Sequence, residues 1–268
     1  MSYEKFLAWR DQLRKRPILS IIVPTYNEEI RILPTLASIA VVVSGIEANW
    51  ELIVADDGSR DDTLRLVQEL GWANLKVIAH ANTGKGGAVR RGMLAARGQY
   101  FLFTDADNST PIEELPKFLA AVQQKADIVI GSRAFEGANE ENKSLIRTLG
   151  SRVIRALAQF GLGLPIKDTQ CGFKLFRRNA ALRLCALQRM EGFSFDLEWL
   201  YLARKHSFRV MELPVRWFDA PGSKVQGLRD GLRFIRDMAK IIHNDFLGLY
   251  RSGGELDAPR YHQHLPTK

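Results

Sequence analysis

The sequence predicts an α/β protein with a mostly parallel central sheet flanked by helices. Three features carry that expectation. Short apolar runs alternate with amphipathic stretches through the first half of the chain, the pattern of strands joined by right-handed helical crossovers. Most of these runs are continuously apolar, as strands covered on both faces are. Four of them empty into acidic, aromatic or glycine-rich turns, and in an open α/β sheet such turns gather at the carboxyl edge, where ligands bind.

The predicted strands are Leu19–Val23, Glu51–Ala55, Leu75–Ala79, Tyr100–Thr104 and Asp127–Ile130, with helices near Leu33–Ser44, Thr63–Leu70, Ala88–Ala96 and Ile112–Gln124. The last helix has a start signal: Thr110 as N-cap, Pro111 at the first helical position and Glu113 closing a capping box. After Arg133 the pattern loosens. Phe135–Lys143 lacks any period and reads as a mobile loop, followed by a basic helix over Ser144–Phe160 and a Gly/Pro break at Gly161–Pro165. Lys174–Phe176 reads as a short strand, Ala180–Leu187 and Phe195–Lys205 as helices, and Arg209–Phe218 as a strand pair or bent strand interrupted by Pro214. A helix over Gly227–Leu249 sets Leu228, Leu232, Ile235, Ile242 and Leu249 on one side and Arg229, Arg233, Arg236 and Lys240 largely elsewhere. The expected organisation is an amphipathic segment at 1–17, one domain at 18–252 with halves at 18–133 and 134–252, and a polar tail at 253–268.

Composition narrows the function classes. With 268 residues, 46% of them hydrophobic, the chain can bury a full core. Cys171 and Cys185 form no CxxC pair, which argues against zinc and for packing thiols in a reducing compartment. The net charge of +8 calls for an anionic partner. Nucleic acid fits it poorly, because the basic residues are dispersed, no RNP-like or zinc-finger motif occurs, and acids line the expected crevice. The longest uncharged segment, Ile32–Ile46, is shorter than the roughly 20 residues that span a bilayer. The expected location is the cytoplasm, with peripheral contact to a membrane's cytoplasmic face.

The most informative stretch is YFLFTDAD, Tyr100–Asp107, where an apolar strand runs into Asp105, Ala106 and Asp107. Two carboxylates at the lip of a sheet suit a divalent cation carrying phosphate oxygens. Three other strand ends should border the same crevice. Pro24, Thr25, Tyr26, Asn27 and Glu28 form one polar turn; Asp56, Asp57, Gly58 and Ser59 form another, where Asp57 can accept hydrogen bonds from a base or ribose. The third is Asn82–Gly87, with Gly84 and Lys85, in which glycines admit backbone amides to a ligand and the helix start favours an anion. The spacing is not that of a Walker A loop. An acidic loop, a basic glycine-rich loop and a metal-like pair on one edge make a nucleotide-diphosphate site.

These loops, in this order, resemble glycosyltransferase family 2 from about Ile18 to Tyr250. DTQCGFKLF at Asp168–Phe176, FSFDLEWLY at Phe193–Tyr201, VRW at Val215–Trp217 and GSK at Gly222–Lys224 are similar to its dolichyl-phosphate β-glucosyltransferase group. The resemblance implies the GT-A fold, a Rossmann-like sheet with C-terminal helices on the acceptor side. It implies Asp57 on the nucleobase, Asp105 and Asp107 carrying Mg²⁺ or Mn²⁺ with the diphosphate, and Arg133 near the sugar or acceptor phosphate. It also implies UDP-glucose as donor and a polyprenyl phosphate as acceptor. GDP-mannose as donor and a hydroxyl acceptor stay open as alternatives. The eukaryotic members carry an N-terminal anchor that is not seen here, so a lipid acceptor is expected to be met through Gly227–Leu249 and Tyr3–Arg16.

The residue chemistry agrees with a phosphate acceptor. Arg147, Arg152, Arg155, Lys174 and Lys224 offer groups that recognise phosphate. A phosphate monoester, with a second pKa near 6, is largely ionised at pH 7 and needs no strong base to attack an anomeric carbon. Asp196 and Glu198, two apart on a helix, do not face one site easily; Asp196, nearer the helix start, is the favoured catalytic carboxylate, taking the proton of a hydroxyl acceptor or, with a phosphate acceptor, holding sugar hydroxyls or pairing with basic residues. Nothing in the sequence speaks to oligomeric state.

Overall fold

A computed structural model of the chain describes residues 17–46, 49–134, 159, 161–218 and 227–251. The five apolar runs of the first half become strands β1 (Leu19–Thr25), β2 (Trp50–Asp56), β3 (Leu75–Ala79), β4 (Tyr100–Thr104) and β5 (Ile128–Ser132). Between them lie α1 (Ile32–Val43), α2 (Thr63–Glu69), α3 (Lys85–Ala95) and α4 (Leu115–Gln123), the last preceded by a 3₁₀ turn at Ile112–Glu114. The second half adds β6 (Phe173–Arg177), α5 (Arg178–Leu187), α6 (Phe195–Lys205), β7 (Val210–Pro214) and α7 (Gly227–Phe246).

The strands form one seven-stranded sheet in the order β3-β2-β1-β4-β6-β5-β7. Neighbours are parallel except β6, which runs antiparallel to both β4 and β5. The register sets Thr104 opposite Phe173, so the end of YFLFT meets the beginning of FKLFR. Side chains alternate across the sheet as a period of two requires. Ile22, Ile53, Phe101, Phe103, Ile128 and Phe176 face one core with α3, α5, α6 and α7. Ile21, Val23, Val54, Leu102, Val129 and Leu175 face the other with α1 and α4. Both faces being covered explains the unbroken apolar runs. Each fully buried phenylalanine contributes roughly 1.5–3 kcal/mol relative to exposure.

Two local expectations need correction. The capping box at Thr110 and Glu113 does not form: Pro111 precedes a 3₁₀ turn with no side-chain cap, and α4 begins at Leu115 with Pro116 in its first turn. Thr110 is buried against Cys171, its hydroxyl 3.9 Å from the thiol sulfur. Arg209–Phe218 is neither a strand pair nor bent: Pro214 ends the single strand β7, where its missing N–H costs nothing in the ladder. The predicted loop at Phe135–Lys143 and the basic helix after it fall outside the described residues, apart from Gln159. No helix among the described residues is long and apolar enough to cross a membrane.

Candidate active site

The carboxyl ends of β1, β2 and β4 carry the acidic turns, and backbone hydrogen bonds knit them together. Asn27 and Glu28 donate their amides to the hydroxyls of Ser59 and Thr63, at 3.0 and 2.7 Å. Pro24 is buried in β1, Tyr26 is 39% exposed at the rim, and Glu28 pairs with Arg31 at 2.6 Å. Ala106, buried between the two aspartates, accepts a hydrogen bond from Thr35 of α1 at 2.8 Å, which fixes the path of the Asp-Ala-Asp turn.

Asp57 is buried and fully engaged. It accepts from the amides of Thr83 and Gly84, at 3.0 and 2.8 Å, and from the Arg91 guanidinium at 3.0 Å. The amides at the start of α3 thus have an internal anion. The remaining space there is closed by the segment 190–192 of the second half, whose Glu191 carbonyl accepts from Gly87 at 3.1 Å. Gly84 has φ +106°, and a Cβ on it would lie 2.5 Å from the Glu191 carbonyl oxygen. Only glycine meets both demands. The glycine turn, read from sequence as a cradle for a ligand, is therefore first a seat for another part of this chain, and Lys85 alone projects from it into the crevice.

Lys85 ends 2.6 Å from Asp105 Oδ1 and lies over the rings of Phe103 and Phe193, 5.3 and 5.9 Å from their centroids. Burial opposes its charge, but the carboxylates of Asp105, Asp196 and Asp107 outweigh that and raise the ammonium pKa above the usual lysine range. Asp105 is also held from below, donating its amide to the Gly172 carbonyl at 3.2 Å. A side chain at position 172 would collide with its carboxylate. The glycine of DTQCGFKLF therefore makes room for the metal-like pair. Asp107 Oδ1 accepts from the Ser109 amide at 3.0 Å. No third metal-ligating side chain joins the two aspartates among the described residues. Two hard carboxylates, one of them already holding the Lys85 ammonium, fit Mg²⁺ or Mn²⁺ whose other ligands are diphosphate oxygens.

Behind this pair, Lys174 is 1% exposed, donating to the Cys171 carbonyl at 2.6 Å and to Asp196 Oδ2 at 3.1 Å, over the other reach of Phe103. Enclosed in this way, Lys174, expected from the sequence among the groups that recognise phosphate, is instead placed to orient Asp196. Asp196 is buried too, as is Glu198, which points elsewhere: it accepts from the Arg189 and Met190 amides and from Tyr250. The two acids do part company along the helix.

On the other flank, Arg133 makes a bidentate pair with Asp168 at 2.7 and 2.9 Å, its guanidinium 5.6 Å from the Trp217 ring. Burial would raise the Asp168 carboxyl, but the hydrogen bonds and charge of Arg133 outweigh it and hold the group at about 2. Burial pushes the Cys171 thiol up to about 11, as expected of a packing residue. Arg147, Arg152 and Lys224 lie outside the described residues.

Sequence reasoning missed four participants: Arg91 and Thr83 on Asp57, Phe103 beneath both ammoniums, and Asp168 as the mate of Arg133. Thr83, Phe103 and Asp168 lay within stretches the sequence singled out, without a role of their own, and Arg91 alone had no signal.

Comparison with known structures identifies the class. Over 95% of its length the chain superposes on glucosyl-3-phosphoglycerate synthase from Mycobacterium tuberculosis, covering 86% of that chain with a TM-score of 0.63 at 17% identity; that crystal contains Mn²⁺, UDP and glucosyl-3-phosphoglycerate. Staphylococcus aureus TarS 1-349, in complex with UDP-GlcNAc, aligns over 84% of this chain and 66% of its own with a TM-score of 0.53 at 23% identity. The fold is that of the GT-A glycosyltransferases. The family follows from sequence: the model described as Glycosyl transferase family 2 matches residues 20–184, and the chain belongs to that family and is a glycosyltransferase. It is 36% identical to the dolichyl-phosphate beta-glucosyltransferase of Saccharomyces cerevisiae over 87% of this chain and 76% of that protein. Its identity to the human dolichyl-phosphate beta-glucosyltransferase is also 36%, over 87% of this chain and 77% of that one.

Proposed function

We propose that the protein transfers glucose from UDP-glucose, with inversion, to the phosphate of a polyprenyl lipid of the dolichyl type. The observation that carries the donor half is the Asp105–Asp107 pair at the sheet edge, held by Gly172 and countered by Lys85 at 2.6 Å. The neighbour crystallised with Mn²⁺ and UDP-glucose supports a UDP-sugar there, and the dolichyl-phosphate glucosyltransferases at 36% identity support the acceptor. Asp105 and Asp107 would hold Mg²⁺ or Mn²⁺, which supplies charge neutralisation for the departing UDP. Lys85, kept charged by its acidic neighbours, adds a second positive charge at the same place.

The buried acids favour a phosphate over a hydroxyl acceptor. A hydroxyl would need a base within reach, whereas Asp196 is taken by Lys174 and Glu198 by amides and Tyr250. An acceptor phosphate attacks with its own charge: its oxygen bonds to the anomeric carbon, the bond to the UDP phosphate oxygen breaks, and the α-linked donor gives a β-linked product. Arg133, oriented by Asp168 and within range of the Asp105 charge, offers a guanidinium for such an anion.

Incubating the protein with UDP-glucose, GDP-mannose or UDP-GlcNAc, a short polyprenyl phosphate and Mg²⁺ or Mn²⁺ tests the reading. A lipid-linked β-glucoside from UDP-glucose is expected; no lipid-linked product from any donor overturns it, and product from GDP-mannose alone reassigns the donor. Asp105→Asn and Asp107→Asn should each abolish metal-dependent UDP binding while circular dichroism stays unchanged.

A further inference from the structure

Helix α7 presents three separate arcs at 3.6 residues per turn. Phe234, Asp237, Met238 and Ile241 are buried against the body of the protein. On one flank, about a third of a turn from the buried arc, Ile235, Ile242 and Phe246 are 49%, 47% and 83% exposed, and Leu247 and Leu249 that follow are 55% and 39% exposed. With Ala239, also exposed, the spacing is four, three, four, which keeps the stripe on one line along the helix. Beside it, Arg233, Arg236, Lys240 and His243 form an exposed row. No exposed acid interrupts that row among the described residues: the buried Asp237 accepts from Ser194 and from Arg236, at 2.8 and 3.3 Å, and Asp245 is tied to Tyr201 and Lys205.

We infer that this stripe is the surface by which the enzyme lies on an anionic lipid bilayer, apolar side chains in the acyl boundary and the basic row among the headgroups. The inference deepens the reading of a lipid acceptor and rests on it. Charge decides the occupant. An apolar line flanked by cations fits a negatively charged surface. A second copy would bring the same basic row with no exposed acid to answer it. Position agrees: Ser194 meets Asp237 at 2.8 Å and Tyr201 meets Asp245 at 2.6 Å, so α6 and α7 run in the same direction. Ile235, just before Asp237, therefore lies beside the start of α6, the end where Phe193, 65% exposed, lies over Lys85, and Ile242 and Phe246 continue the stripe along the length of α6 away from it. A bilayer on the stripe would have the crevice at its Ile235 end.

Vesicle flotation of the full chain tests this, using phosphatidylcholine vesicles with and without phosphatidylglycerol, at low and high salt. Binding is expected to the anionic vesicles, weakened by salt and weakened about tenfold in Ile242→Glu and Phe246→Glu, two exposed sites where charge does not disturb the core. Both variants should still glucosylate a water-soluble short polyprenyl phosphate at the unaltered rate. Failure of the wild type to float, or flotation untouched by both variants, overturns the assignment; so does a dimer in sedimentation velocity that Ile242→Glu dissolves without any vesicle binding. Glucosylation of the soluble acceptor without flotation would leave the function standing and remove the surface. Flotation without transfer from any donor would do the reverse.

Discussion

At the scale of single residues the site is a set of ion pairs graded by burial. Lys174–Asp196 is sealed in the core, Asp57–Arg91 is nearly so, and Lys85–Asp105 and Arg133–Asp168 are open on one side. The open pairs are the ones a ligand can rearrange. On the proposed reading Lys85 would compete with a divalent cation for Asp105 and then serve the diphosphate, so Lys85→Ala should raise Mn²⁺ affinity in the nucleotide-free protein, read by Mn²⁺ electron paramagnetic resonance. The same change should weaken UDP binding about tenfold or more, the scale of a lost charge-assisted hydrogen bond. Unchanged UDP affinity would remove Lys85 from the donor site. Asp168 makes a prediction in pH. Its folded value of about 2 lies below the unfolded value near 3.9, so between them the unfolded chain binds more protons. The resulting stabilisation, roughly 2 kcal/mol, is complete above pH ~4 and lost as pH falls through about 2. Denaturant unfolding should show Asp168→Asn less stable than the wild type at pH 7, with the gap narrowing at pH 3; a gap constant over that range would mean the pair contributes nothing through its charge.

At the scale of elements, the site is made by β4 and β6 lying side by side. The antiparallel register that sets Thr104 against Phe173 brings Gly172 beneath Asp105, although the two motifs lie far apart in sequence. Gly172 has no positive φ, and the atoms nearest a Cβ there all belong to the Asp105 carboxylate, so Gly172→Ala should displace the carboxylate more than it disturbs the fold. Metal-dependent UDP binding should fall at least tenfold, while Tm drops by no more than about 2–4 °C, the equivalent of ~1 kcal/mol for a chain of this size; normal binding would show that Asp105 can move without cost. This is also where the sequence stopped being readable. The five strands and the acidic turns were legible because hydrophobic runs and strand-end chemistry are local properties. That β6 enters between β4 and β5 was not, because strand order depends on contacts distant in sequence. Gly84 was misjudged for the same reason: a glycine admitting a ligand and a glycine admitting residues 190–192 look alike in one dimension. Thr110, Pro111 and Glu113 matched a capping box letter by letter, yet packing of Thr110 against Cys171 took the chain into a 3₁₀ turn instead.

At the scale of the whole molecule, donor and acceptor halves are terms of chemistry and not of folding. The sequence division near residue 133 separates β1 to β5 from β6, β7 and the later helices, but β6 is the strand that joins β4 to β5. Without it β4 and β5 have no hydrogen-bonding partner between them, and β5 also loses β7. The core divides in the same way: Phe176, Leu184, Phe195 and Trp199 share one cluster with Ile22, Ile53 and Phe103, and Phe173 and Leu175 share the other with Phe118 and Val129. A fragment ending at Arg133 would open one edge of β4 and both edges of β5, and would expose the apolar face of the strands under α5 and α6, which is a recipe for association. Such a fragment is expected to be aggregated or to lack a cooperative thermal transition, and to bind no UDP although it retains Asp57, Lys85, Asp105 and Asp107. Co-expression with residues 134–268 should restore a soluble complex, since the missing strand needs only to be present and not covalently continuous. A soluble, cooperatively melting 1–133 fragment that binds UDP with Mn²⁺ would show that the first half folds alone, and that the contacts of Gly84 with Glu191 and of Asp105 with Gly172 adjust a site already formed.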